Sequence, residues 1–322
     1  MTGDDPLDLW HGRADPDGET GRRWHEIVRP FAEHPQAQAV LLGFACDEGV
    51  RRNHGRPGAA KGPAALRRMA STLPAWPGLQ IADGRDVRCD DTDLESAQAR
   101  QAERVAAAIE RGALPIGIGG GHEIAYATYR GIVQSKVPSG RKIERLGILN
   151  FDAHFDLRRD QRATSGTPFL QALVDAAGSE RSVSYRVLGI SETANTQALF
   201  DTARRHNVQH VLDTELLARD LAAQLSELAI WMASIDALHL SFCLDVLPQS
   251  VAPGVSAPAA RGVGLDLIEP LLVEAAGSGK LVAADIAELN PAFDRDSATA
   301  RVAARLLWLI VRSALRARGN GK

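Results

Sequence analysis

Short apolar runs of Val, Ile and Leu recur along the chain, and most are followed by longer Ala-, Arg- and Glu-rich stretches in which apolar residues return at helical spacing. Strands and helices that take turns leave this pattern. It predicts strands over 39–45, 114–118, 146–151, 185–190, 208–212, 237–243 and 281–286, and helices over 94–111, 123–134, 196–206, 214–232, 265–276 and 297–317. Thr214 and Ser297 stand where helix N-caps belong. Runs such as LGILNF and LVAADI are nearly continuous in apolar residues instead of alternating, as strands buried on both faces require. A mainly parallel sheet with helices on both sides follows, an α/β fold in three layers, α/β/α. No linker divides the pattern, so residues 1–322 read as one domain, with residues 1–30 as a loosely ordered N-terminal extension.

The stretch 47–68, crowded with Gly, Pro, Lys and Arg, reads as a structured loop. Because it follows the first strand of this reading, it falls at the carboxyl edge of the sheet, where α/β proteins bind ligands. Charge narrows the partners. With 37 Lys and Arg against 40 Asp and Glu, the net charge of -3 gives no broad positive field to gather nucleic acid or an anionic membrane. Cys46, Cys89 and Cys243 are too few and too scattered for a disulfide framework, and the acidic N-terminus lacks the basic start and apolar run of an export signal. Apolar stretches such as 306–311 fall far short of the roughly 20 residues that span a bilayer. A cytoplasmic protein that acts on a small molecule, with no nucleic-acid or membrane partner, is expected.

Three segments place metal-binding side chains at predicted strand ends: Gly119-Gly120-Gly121-His122-Glu123, Asp152-Ala153-His154-Phe155-Asp156 and Cys243-Leu244-Asp245. An extended chain would turn Asp152, His154 and Asp156 to one side. Carboxylates gathered without partners raise one another's pKa, and a divalent cation removes the conflict. Carboxylate with some imidazole suits Mn or a similar ion, and paired ions make water a nucleophile at neutral pH. This chemistry points to hydrolysis. The glycines could alternatively form only a tight turn or a weak anion loop. The remaining histidines, His11, His25, His34, His54, His206, His210 and His239, lack such company and read as structural or surface residues.

GGGHE, NFDAHFDLR, SFCLDVLPQSVAPGVSAP and DIAELNP, in that order, resemble the ureohydrolase superfamily of arginase and agmatinase across most of the chain. Within it, CDEGVRRNHGRPGAAKGPAALR, SGTPF and VLPQSVAPGVSAPAARG look most like the members that release glutamate and formamide from N-formimidoyl-L-glutamate in histidine degradation. The resemblance implies an arginase-like α/β/α fold, a centre of two Mn ions and a homo-oligomer. It places His122, Asp152, His154, Asp156 and Asp245 on metal-ligand positions. Cys243 stands where the family usually has a bridging aspartate. It could bridge as thiolate, favour a softer metal, leave the second ion weakly held, or pack as a small hydrophobe.

The resemblance also implies roles around the substrate. Glu288 takes the position that pairs with the cationic amidine, and Asp156 serves as proton shuttle. The glutamate carboxylates call for guanidinium or other donors. Arg158, two residues past Asp156, is the first candidate, with Asn53 and Ser165 beside it and Arg51 and Arg56 as further loop candidates. Arginases carry a histidine where Phe169 stands here, which argues against arginase itself and leaves another guanidino or amidine acid, or ligand binding without catalysis, as alternatives.

Overall fold

In chain order the computed structural model, which describes residues 5–136 and 142–319, runs α1 (Trp24–Ile27), β1 (Arg29–Pro30), β2 (Ala39–Ala45), α2 (Glu48–Arg52), α3 (Gly62–Ala70), β3 (Ile81–Arg88), α4 (Leu94–Glu110), β4 (Leu114–Ile118), α5 (Ile124–Gln134), β5 (Arg145–Phe151), α6 (Pro168–Ala177), β6 (Ser182–Ile190), α7 (Gln197–Arg205), β7 (Gln209–Leu212), α8 (Leu221–Ala233), β8 (Ala237–Cys243), α9 (Leu265–Ala276), β9 (Leu281–Ala287) and α10 (Ala298–Ala317). The strands form one sheet in the order β1-β3-β2-β4-β9-β8-β5-β6-β7. Every pairing in it is parallel.

The apolar strands are central and covered on both faces. Every residue of β4 and β8 is buried, as is all of β5 except Arg145. Helices α3, α8, α9 and α10 pack one face through Leu66, Leu228, Leu271 and Leu307. Helices α4 to α7 pack the other through Val105, Ile132, Phe169 and Ala203. Leu271 and Leu307 have no exposed surface, and cutting either back to Ala would cost about 2–5 kcal/mol through lost contacts and the cavity left behind.

Several elements depart from the pattern reading. Strand β3, IADGRDVR, was hidden by its charges. Asp83 is buried in it because Arg67 donates to both its oxygens, at 2.7 and 3.0 Å, and Trp10 Nε1 adds a third bond at 2.7 Å. The stretch 47–68 is no single loop, since it holds α2 and most of α3. Helix α6 starts on Pro168, whose missing N–H is harmless in a first turn.

Neither expected N-cap works as one. Thr214 lies in a turn well before α8 begins at Leu221. Ser297 sits in the cap position with a left-handed backbone, φ +54, and its side chain makes no cap bond. The Asp294 carboxylate takes over, accepting from the amides of Thr299 and Ala300 at 2.9 and 3.0 Å. Within the expected extension, Trp24 is 0% exposed in the core, and Arg23 and His25 bond to the carbonyls of Thr72 and Ser71. Residues 1–4 of that extension lie outside the described residues.

Candidate metal centre

The middle of the sheet reads β4-β9-β8-β5, so β5 lies beyond β9 and β8 although it is the next strand after β4 in the chain. A strand order that jumps in this way opens a crevice at the carboxyl ends. Four segments leave these strands there: 119–123 after β4, 152–156 after β5, 243–245 at the end of β8, and Glu288 after β9. Gly119 and Gly120 turn the chain back at once with φ of +77 and +76. A side chain at 119 would lie 2.3 Å from the Pro63 ring, and one at 120 would lie 2.6 Å from the Phe44 carbonyl. The turn delivers His122, whose amide donates to Glu288 Oε1 at 3.0 Å, while the Glu288 amide donates to the Gly120 carbonyl at 2.8 Å.

His122 Nδ1 lies 2.9 Å from Asp152 Oδ2 and 2.8 Å from Asp156 Oδ2. His154 Nδ1 lies 3.3 Å from Asp245 Oδ2 and 3.5 Å from Asp152 Oδ1. Two groups have donor atoms all within 4.8 Å of one another, His122 with Asp152 and Cys243, and Asp152 with His154 and Asp245. Asp152 belongs to both. The six side chains singled out as metal ligands therefore meet, but not by the alternation expected of an extended chain. Strand β5 ends at Phe151. Beyond it the Asp152 carboxylate accepts from the His154 amide at 2.7 Å, and Asp156 turns left-handed, φ +49.

The electrostatics fit a cation. Burial and the neighbouring Asp152 push Asp156 up to about 6. Burial, then Asp152, raises Asp245 above the usual carboxylate range, and burial with Asp245 and Glu123 raises Glu288 well above it. Burial opposes a charged His122, yet Asp152 and Asp156 outweigh it and hold the ring well above the ordinary imidazole value. Cys243, buried and facing Asp152, Asp245 and Glu288, keeps its proton far above the ordinary thiol range. His122 Nδ1, Asp245 Oδ1 and Glu288 Oε2 are buried with no aligned hydrogen-bond partner. Each orphan would cost about 1–3 kcal/mol. A divalent cation among these donors satisfies His122 Nδ1 and Asp245 Oδ1 and reverses the direction of the shifts, so Asp152 with His122, Cys243, Asp156, His154 and Asp245 could hold two ions.

Supporting groups lie behind the donors. Ser241 Oγ lies 2.9 Å from His122 Nε2 and donates to Asp285 Oδ1 at 2.5 Å, and Asp285 Oδ2 lies 2.6 Å from His239 Nε2. His239 is thus a buried partner of this chain of contacts, contrary to the expectation that it lacks company. Its spacing with Ser241 and Cys243, two residues apart on one strand, places the three on one face and was the available signal. Asn150 donates to Asp152 Oδ2 at 3.0 Å, and Phe169 stands edge-on to His122 with ring centres 5.2 Å apart.

A cavity of about 310 Å³ opens over the centre, lined by Asn53, Arg158, Ser165 and Glu288 among others. Asn53 Nδ2 donates to Ser165 Oγ at 3.1 Å. Arg158 is exposed and forms no ion pair among the described residues. Arg56 lines the cavity, but its guanidinium binds the carbonyls of Val255 and Ser256 and stacks on Phe293. Arg51 turns to Asp47 and Glu48. His54, read as structural or surface, also lines the cavity.

A parallel sheet with acidic and imidazole donors at its central strand ends defines a metallohydrolase-type site. Residues 37–312 match the arginase family, and the chain belongs to that family. It is 49% identical over 306 residues to the formimidoylglutamase of Ralstonia nicotianae, with 94% of each chain covered. With the formimidoylglutamase of Chromobacterium violaceum it shares 47% identity over 307 residues, covering 95% of this chain and 98% of the other. The crystal structure of formimidoylglutamase from Bacillus subtilis superposes with a TM-score of 0.81 at 23% identity over 95% of both chains, a likeness of fold. Trypanosoma cruzi formiminoglutamase, in a structure with Mn2+2, superposes with a TM-score of 0.74 at 26% identity over 87% of this chain and 94% of that one. Among the described residues no helix is long and apolar enough to cross a membrane.

Proposed function

We propose that the protein hydrolyses N-formimidoyl-L-glutamate to L-glutamate and formamide, a step of histidine degradation. The observation that carries this reading is one cavity lined by three things: five of the six metal-type donors, with Asp152 just behind them, Glu288 with its unpartnered Oε2, and Arg158, whose guanidinium forms no ion pair among the described residues. The similarity to formimidoylglutamases supports it.

His122, Asp152, His154, Asp156, Cys243 and Asp245 would hold two Mn ions, with Asp152 shared. When bound, such a pair supplies an ionised water at neutral pH and polarises the bond it attacks. Glu288 receives the amidine on Oε2, the oxygen left free because Oε1 already accepts the His122 amide. Its left-handed backbone, φ +69, is the strained geometry that surrounding structure sustains at working sites. Arg158 pairs with a substrate carboxylate, and Asn53 and Ser165 offer polar atoms along the same wall. Asp156 takes the proton released in the attack and passes it to the departing glutamate nitrogen, so that one water is consumed and one C–N bond breaks.

In this reading the chain works as one domain, in the cytoplasm, and as a homo-oligomer. The sheet that supports it draws strands from 29 to 287. Formamide release from formimidoylglutamate, followed across a Mn titration, tests substrate and cofactor together. Strong turnover of arginine or agmatine with none of formimidoylglutamate would refute the assignment.

A further inference from the structure

The cavity wall is assembled from two segments far apart in sequence, 47–56 with Asn53 and 163–167 with Ser165. The Asn53–Ser165 hydrogen bond joins them at the cavity. Behind that bond, outside the cavity, one side chain ties the same two segments together. Arg52 donates from Nε to Glu48 Oε1 at 3.1 Å, from Nη1 to Glu95 Oε1 at 2.7 Å and the Ala163 carbonyl at 3.0 Å, and from Nη2 to the Thr92 carbonyl at 2.9 Å and Glu95 Oε2 at 3.1 Å. All five N–H donors of the guanidinium are engaged. The Arg52 side chain is 9% exposed, whereas neighbouring Arg51 is 54% exposed and among the described residues pairs with Asp47 and Glu48 alone. An arginine fixed by both acidic groups and carbonyls from three segments has no donor left for a substrate. Its effect must pass through what it holds.

We propose that Arg52 is a positioning residue for recognition of the substrate's tail, setting the spacing of Asn53 and Ser165 by clamping the start of α4 and the 163–167 segment onto α2. The proposal rests on the reading of this cavity as the substrate site. The clamp touches neither the metal donors nor Glu288, so its loss acts on binding of the carboxylate-bearing tail and leaves the chemical step alone. Lysine cannot substitute. Its single ammonium offers three donors from one point and cannot span acceptors on three sides of a planar fork.

The test compares Arg52→Met, Arg52→Lys, Asn53→Ala and the Arg52→Met/Asn53→Ala pair, with Glu95→Gln as a milder change to the same clamp. For Arg52→Met and Arg52→Lys, KM for formimidoylglutamate should rise about tenfold while kcat stays within about twofold, the pattern of lost binding that is uniform between ground and transition states. Bound Mn and turnover of a simple N-alkylformamidine without carboxylates should be unchanged. Glu95→Gln should shift KM in the same direction by less. On the Asn53→Ala background Arg52→Met should add little, because the two act through one contact. Independent, multiplying effects, full rescue by lysine, or a fall in kcat together with Mn would overturn the proposal. Should the wild-type enzyme leave formimidoylglutamate untouched, the substrate reading fails, and amide hydrogen exchange still decides the clamp. Exchange in 47–56 and 163–167 should rise together in Arg52→Met with β4 and β8 unchanged, and no change in either segment would overturn it.

Discussion

His239 Nε2 and Asp285 Oδ2 lie 2.6 Å apart, and neither side chain reaches solvent. Through Ser241 this pair leads to the far nitrogen of the His122 ring, which fixes how the ring presents Nδ1 to the candidate metal centre. Burial alone would raise the Asp285 carboxyl, but the His239 ring beside it, with further help from His122 and the Ser241 hydroxyl, holds it below the usual carboxylate range.

The sign of the pH effect follows. A carboxyl whose pKa is lower in the folded than in the unfolded chain stabilises the fold above the unfolded value, and that stability is lost as pH falls through the folded one. Asp285→Asn should therefore be less stable than wild type at pH 7, by about 3–5 kcal/mol for a broken buried pair. The gap should shrink once pH drops below about 4. Urea unfolding of both proteins across pH 3–8 measures it, and a gap that stays constant would show that Asp285 acts by shape alone.

Asp156 touches His122 Nδ1 at 2.8 Å and lines the cavity. If it carries the proton, Asp156→Asn lowers kcat by about 10²–10⁴, with a much smaller change in KM. Steady-state kinetics on Mn-loaded protein reads the split, and metal analysis of the same sample separates loss of a proton carrier from loss of a ligand.

Cys243 shares donor distance with His122 and Asp152. Burial first, and then Asp152, Asp245 and Glu288 around it, raise its thiol well above the ordinary range, and a cation beside it reverses that direction. Cys243→Ala should lower Mn from about two toward about one ion per chain, and Cys243→Asp should restore it, because a carboxylate can bridge where a methyl cannot. Full Mn content and activity in Cys243→Ala would assign the thiol to packing.

Arg158 lines the cavity and its guanidinium forms no ion pair among the described residues, whereas that of Arg56 is already bound to carbonyls. Arg158→Met should raise KM for formimidoylglutamate about 10- to 100-fold and leave a carboxylate-free amidine unaffected. The same KM change on both substrates would remove Arg158 from tail recognition.

The central strands were legible because a parallel strand covered on both faces has little choice but to be apolar: 39–45, 114–118 and 237–243 match β2, β4 and β8 residue for residue. The donors were legible because they sit directly beyond such runs. Strand β3 was not, since Asp83 is tolerated inside it only through Arg67 and Trp10, partners that no local pattern reveals. Arg52 was equally hidden, because a charged residue in a Gly-rich stretch looks solvated until Glu95 and the Ala163 carbonyl are placed around it. Ser241 and Asp285 looked like minor polar interruptions of apolar strands, and only the register that sets one opposite the other gives them a joint purpose.

The insertion of β9 and β8 between β4 and β5 also has a consequence for biosynthesis. As the chain emerges from the ribosome, His122 and the 152–156 segment appear early, after strands that nothing bridges until the last third of the polypeptide arrives. Assembly of the full donor set must wait for that late wedge to slot into the gap. A nascent chain halted before residue 281 would carry all six donors, yet His122 on the β4 side would lack the strand that sets it in register with those on β5 and β8.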